Sequence, residues 1–157
     1  MILVDSIYIN DSGGKVLLDY FINTAIKKKI ENKFYFILDS RGNFDYLDKI
    51  KYEIIKPSEV NRFLFYKKNK NIFSRIFCFG NVPPPIKCNV QVHTYFHNVL
   101  LAKLSKGLTF KSKLLKLVKR HYIILMSKNT DSFLVQSDYV KKMVADNISS
   151  KTNIELY

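Results

Sequence analysis

Two stretches of this sequence place chemically useful residues at the ends of apolar runs. His97-Asn98 follows the run Val90–Phe96 and precedes a helical pattern. At the carboxyl end of a strand, an imidazole can hydrogen-bond a hydroxyl or a phosphate, or transfer a proton. His93 lies inside the same run and reads as a structural histidine, and His121 falls within a helical pattern. A spacing of four between two histidines would suit a metal pair on a helix. Here both fall on or beside a strand with no carboxylate near in sequence, so no metal is expected. The second stretch is Gly13-Gly14-Lys15, between an apolar run and a helical pattern. Glycines let a ligand approach the backbone, first-turn N–H groups attract an anion, and Lys15 adds a point charge. The spacing matches neither the dinucleotide fingerprint nor a Walker A loop, and a plain tight turn also accounts for it.

A third set of residues binds by charge rather than by position. Phe110–Met126 repeats Phe110, Leu114, Leu117, Val118 and Leu125 at helical spacing, with Lys111, Lys113, Lys116, Lys119 and Arg120 between them. One reading is a core-packed helix with a solvated basic back. The other is a helix lying on an anionic membrane surface, to which each Lys or Arg contributes roughly 1 kcal/mol. Asp5, Asp11 and Asp39 stand near strand ends, where they can bind a ligand or serve turns and caps. No Ser-His-Asp order, cysteine-nucleophile signature or acidic pair suggests hydrolytic chemistry. Cys78 and Cys88 read as two reduced cysteines.

The elements that must position these residues alternate in period. Ile2–Ile9 ends in the turn formers Asn10 to Gly14, and a helical pattern runs from Lys15 to Lys27-Lys28-Lys29. Phe34–Leu38 is a continuous apolar run, as in a buried parallel strand. Tyr52–Ile55 is a third strand, and Pro57 suits the first position of a helix reaching about Lys68. Ile76–Phe79 and Val90–Phe96 are strands separated by Val82-Pro83-Pro84-Pro85, which no helix interior accepts. A short helix is expected over Val99–Lys106, closed by Gly107, and a longer one over Phe110–Met126. Phe133–Val135 is a strand, Ser137 or Asp138 can cap a helix to about Ala145, and Ile154–Leu156 begins another strand. Strands alternating with helices predict an α/β domain, a parallel sheet with helices on both faces. No internal linker or repeat divides the 157 residues, so a single domain over 1–157 is expected.

The charge is unevenly placed. Residues 1–50 hold seven Lys/Arg and seven Asp/Glu, so the formal charge of +13 lies in residues 51–157. Between Val60 and Thr130 there are fourteen Lys/Arg and no acidic residue. Such a surface attracts nucleic acid, anionic headgroups or a polyprenyl-diphosphate carrier. Met1 leads straight into an apolar run too short for a signal peptide, and no stretch reaches the ~18 apolar residues of a membrane span. A cytoplasmic chain, soluble or peripheral on the inner membrane, is the expectation.

Cys78-Phe79-Gly80-Asn81-Val82-Pro83-Pro84, followed by Thr94-Tyr95-Phe96-His97-Asn98-Val99-Leu100-Leu101, resembles bacterial group 1 (family 4-like) glycosyltransferases of polysaccharide biosynthesis. Asp11-Ser12-Gly13-Gly14-Lys15 and Phe133-Leu134-Val135-Gln136-Ser137 are similar to the same family's N-terminal half, and the resemblance runs from Ile2 to Leu156. It implies a GT-B fold, two Rossmann-like domains facing across a cleft, with this chain as the acceptor-side half. The donor-binding C-terminal domain has no room in 1–157, so activity by the chain alone is not expected, and a separate chain is a candidate to supply it. The resemblance further implies a hexosyltransferase-type reaction from a nucleotide-sugar co-substrate to a lipid-linked saccharide, with no other cofactor. His97 matches the polar position beside the transferred sugar, or His93 in an alternative register. Gly13, Gly14, Lys15 and Asn98 would contact donor and acceptor. The alternatives from other classes are a basic nucleic-acid-binding module, which no recognised signature supports, and a peripheral membrane module without catalysis.

Overall fold

The computed structural model describes residues 1–98, 110–149 and 151–156. The helix expected over Val99–Lys106, with Gly107, lies outside the described residues. Seven strands form one sheet: β1 (Ile2–Ser6), β2 (Phe34–Asp39), β3 (Tyr52–Ile55), β4 (Arg75–Cys78), β5 (Gln91–Phe96), β6 (Ser132–Val135) and β7 (Asn153–Leu156). Every pair is parallel, in the order β3-β2-β1-β4-β5-β6-β7. The α-helices are α1 (Ser12–Lys27), α2 (Glu59–Asn69), α3 (Phe110–Met126) and α4 (Asp138–Asn147). The α/β parallel-sheet class and a Rossmann-like topology are thus present.

The chain moves one way from β1 to β3, jumps back, and moves the other way from β4 to β7. A single crossover hand puts the connections of the two directions on opposite faces. α1 lies on one face, where Leu18 and Ile22 pack with Val4, Phe36 and Leu38. Phe44 and Tyr46, from the loop joining β2 to β3, fill that face where a second helix would stand. On the other face α2 packs Phe65 and Tyr66 on Leu3, Ile37 and Ile76. α3 and α4 pack Ile123, Val140 and Val144 on Phe96, Phe133 and Val135.

Some boundaries differ from the sequence reading. β1 stops at Ser6, because Tyr8 takes a left-handed φ of 78° and Ile9 N–H turns back to Ser6 O at 3.0 Å. α1 starts at Ser12 rather than Lys15, since Lys15 N–H already bonds Asp11 O at 3.2 Å. Gly13 and Gly14 therefore sit in the first helical turn, where N–H groups lack intrahelical partners anyway. Pro57 precedes α2 instead of opening it; Ser58 caps the helix, its hydroxyl accepting from Asn61 N at 3.2 Å. Ser137 caps α4 in the same way.

Candidate functional site

The sheet order reverses between β1 and β4, so the loops leaving these two strands run apart and open a crevice. Ligands of open α/β sheets bind at such switch points, beyond the carboxyl ends of the strands. Here the crevice encloses about 810 Å³. Ile9, Gly80 and Asn81 line it from the strand exits, and Gly14 lines it from α1. His97 and Asn98 face it after β5, Glu59 from α2, and Lys119 and Tyr122 from α3.

Two glycines bring the backbones together. A Cβ on Gly80 would stand 2.6 Å from Ile7 O, which no side chain tolerates. A Cβ on Gly14 would stand 3.0 Å from Ile9 Cδ1 and 3.6 Å from His97 Nε2. The first turn of α1 and the imidazole thus share one wall. Gly13 faces open space: a Cβ there would meet nothing within 4 Å.

Asn81 fixes His97. It takes a left-handed φ of 67° and is 5% exposed. Its Oδ1 accepts the backbone N–H of His97 at 2.8 Å and of Asn98 at 2.9 Å. That leaves Nδ2 as the donor facing His97 Nε2 at 3.4 Å, and so assigns the ring proton to Nδ1. Nδ1 is buried without a hydrogen-bond partner among the described residues. Burial holds the His97 pKa below its ordinary 6.5, consistent with a neutral ring.

Behind this wall lies a buried ion pair. Asp5, Arg62, Tyr66 and Cys78 are each at most 1% exposed. Arg62 meets Asp5 Oδ2 at 2.7 Å, while Tyr66 donates to the same oxygen at 2.8 Å. Arg62 also donates to Val82 O and Pro83 O, each at 2.8 Å. It thereby pins the loop that carries Asn81. Burial opposes the Arg62 charge, yet Asp5 and its neighbours raise the Arg62 pKa well above the ordinary value. Burial and then Asp5 push the Cys78 thiol up to about 12, so thiolate chemistry there is disfavoured.

The predicted site residues divide. Gly14, His97 and Asn98 come together in the crevice, and Asp11 joins them. Lys15 does not: its ammonium bonds Asp19 at 2.6 Å and lies 4.9 Å from the centre of the Phe44 ring. Residues four apart share one helix face, and the ion pair with Asp19 on that face holds Lys15 away from the crevice. His93 is elsewhere, about 13 Å back along β5 by strand rise. It pairs with Ser132 at 2.6 Å and lines an apolar cavity of about 600 Å³ beside α1. Asp5 and Asp39 are committed to Arg62 and Arg41.

α3 is not a core-packed helix. Ile123 is buried, but Leu114, Leu115, Leu117, Val118, Ile124 and Leu125 are each 36–59% exposed. Lys111, Lys113 and Lys119 are exposed and Lys116 is half-buried. Arg120 departs from the expected free basic face, because it donates to Asn147 O and Oδ1 at 3.3 Å and ties α3 to α4. Among the described residues no helix is long and apolar enough to cross a membrane. No group of three or more His, Cys, Asp or Glu among them could hold a metal ion.

Sequence reasoning missed Asn81, Glu59, Tyr8, Tyr122 and Arg62 as parts of this site. Asn81 left one signal, an Asn after Gly where a strand ends, since Asn tolerates left-handed backbone. The others meet across 51 to 63 residues and carry no spacing signal. No family model, curated protein or solved structure matches this chain.

Proposed function

We propose that this chain is the acceptor-side lobe of a GT-B glycosyltransferase of the group 1 (family 4-like) kind. In this reading a donor-binding lobe supplies the nucleotide sugar across the crevice. An acceptor hydroxyl displaces the nucleoside diphosphate at the anomeric carbon, and its proton leaves with the departing diphosphate. The acceptor is a lipid-linked saccharide, and the chain works at an anionic membrane face. One observation carries the reading: the first turn of α1 and the His97 imidazole share one wall at the switch point, so close that a Cβ added to Gly14 would stand 3.6 Å from His97 Nε2. Unpaired N–H groups of a helix start attract a diphosphate, and a fixed imidazole beside them can bond a sugar hydroxyl. The exposed leucines between the lysines of α3 favour a lipid surface over nucleic acid, whose phosphates offer no apolar partner.

Titration of the isotope-labelled chain with a short-chain polyprenyl-diphosphate saccharide tests this. The amides of Gly14, His97 and Asn98 should shift together, and His97→Ala should weaken binding at least tenfold. Shifts confined to residues outside the crevice, or none at saturating probe, would overturn the reading.

A further inference from the structure

The side of the crevice formed by α2 and α3 is built around one carboxylate. Glu59 stands in the first turn of α2, and its side chain is 36% exposed. Tyr8, from the turn after β1, donates its hydroxyl hydrogen to Oε1 at 2.7 Å. Tyr122, from α3, donates to Oε2. Tyr8, Glu59 and Tyr122 all line the crevice. Three elements far apart in sequence therefore converge on one group, inside a cavity large enough for a ring-sized ligand.

The hydrogen-bond inventory of this cluster is one-sided. Burial, and then the bond to Glu59, raise the pKa of both tyrosines, so each keeps its proton. A tyrosine has a single O–H, and both are already spent on the carboxylate. What the cluster still offers a ligand is lone pairs, on the two phenol oxygens and the two carboxylate oxygens. The α1 side differs, since it presents first-turn N–H groups, beside Asp11 and the Arg41 guanidinium that Asp39 already holds. A ligand that fits both sides carries hydrogen-bond donors at one end and acceptors at the other.

Charge narrows the donor type. Arg62 Nη1 lies 3.7 Å from Glu59 Oε2, behind the carboxylate. This cation is shared with the closer Asp5, and the two phenol donors spread the rest of the Glu59 charge, so the cluster can take neutral donors without a second cation. Neutral donors in a row are the hydroxyls of a sugar ring. Recognition of hydroxyls is selective where the ligand itself covers the acceptor, because an analogue lacking the hydroxyl then leaves the acceptor unpaired.

We propose that Glu59, oriented by Tyr8 and Tyr122, accepts hydrogen bonds from the hydroxyls of the acceptor sugar and sets which sugar the crevice takes. This rests on the acceptor-lobe reading above.

The test uses the labelled full chain and three probes: the methyl α-pyranosides of glucose, mannose and galactose. At least one should shift the amides of Tyr8, Glu59 and Tyr122 at millimolar concentration, with unequal affinities across the three. Glu59→Gln keeps the side-chain shape and one acceptor oxygen, so amides remote from the crevice should stay put. It should weaken the best glycoside about tenfold and level the ranking of the three. Tyr122→Phe, which frees Oε2 from its donor, should reorder the ranking while the chain stays folded. If Glu59→Gln keeps both affinity and ranking, the assignment of Glu59 falls while the acceptor-lobe reading stands. The assignment falls in the same way if the glycosides miss these residues although the polyprenyl-diphosphate saccharide still shifts Gly14 and His97. If neither probe type reaches the crevice, both readings fall.

Discussion

A single amide side chain does most to define the chemistry of His97. Asn81 Oδ1 takes the backbone N–H groups of His97 and Asn98, so two part-buried bonds fix the backbone that carries the ring. Its position facing Nε2 makes that nitrogen an acceptor. The ring is then neutral for two reasons, burial and the donor it faces. This gives a pH signature of defined sign. The folded pKa lies below 6.5, while the unfolded ring titrates near its ordinary value. Between those values the unfolded chain holds a proton that the folded chain does not, so acid favours unfolding. The contribution is whole above about pH 6.5 and is lost as the pH falls toward the folded pKa. Melting temperatures of the wild type and His97→Gln, measured from pH 7.5 to 5, isolate it, since His93 and His121 are common to both. The wild type should lose more on acidification, with the difference opening near pH 6.5. A difference that stays constant across this range would mean the ring is not held neutral.

At the scale of elements, period and run type in the sequence were sufficient to find all seven strands and the four described α-helices. Buried parallel strands need unbroken apolar runs, and Phe34–Leu38 and Val90–Phe96 supply them. Element starts were less legible. Gly13-Gly14 reads as loop from composition, yet lies in α1, because glycine costs little where the helix has no bonds to make. The moment of α3 was also legible, but not how little of it is buried: a helix periodic enough to pack in a core is equally periodic at a lipid surface. Lys119 borders the crevice and Arg120 is held by Asn147, so the proposed membrane attachment rests on Lys111, Lys113 and Lys116 with the exposed leucines. The chain should co-sediment with phosphatidylglycerol vesicles in preference to phosphatidylcholine. Replacing the three lysines with glutamine should cost on the order of 100-fold in affinity, at roughly 1 kcal/mol for each charge removed. Leu114→Asp should weaken attachment to both vesicle types. Equal binding of the wild type to both lipids would remove α3 as an electrostatic anchor.

At the scale of the molecule, the crevice exists because two halves of a sheet part company, and something must hold the parting in register. That holder is the Asp5–Arg62 pair, which spans 57 residues and joins β1, α2 and the loop after β4. Nothing in the sequence marks it: Arg62 sits in a polar helical stretch, and Asp5 breaks an apolar run as a turn former would. Only the fold brings them together, which is why the switch point was legible as a topology and its clamp was not. The clamp makes a double prediction. Arg62→Met strands the Asp5 carboxylate in the core and should cost about 3–5 kcal/mol, a large part of the ~5–15 kcal/mol that holds an ordinary domain. Adding Asp5→Leu removes the stranded charge. Both variants leave the Val82 and Pro83 carbonyls without their donor, and Asp5→Leu adds only the loss of the Tyr66 acceptor, at about 1–3 kcal/mol for each such group where water cannot reach it. The double variant should therefore be more stable than Arg62→Met alone in urea denaturation, yet less stable than the wild type. Its crevice should also lose order, read as line broadening of Asn81 and His97, because the loop carbonyls have nothing left to hold them. If the two substitutions simply add, Asp5 and Arg62 act independently, and the switch point is held by backbone packing at Gly80 instead.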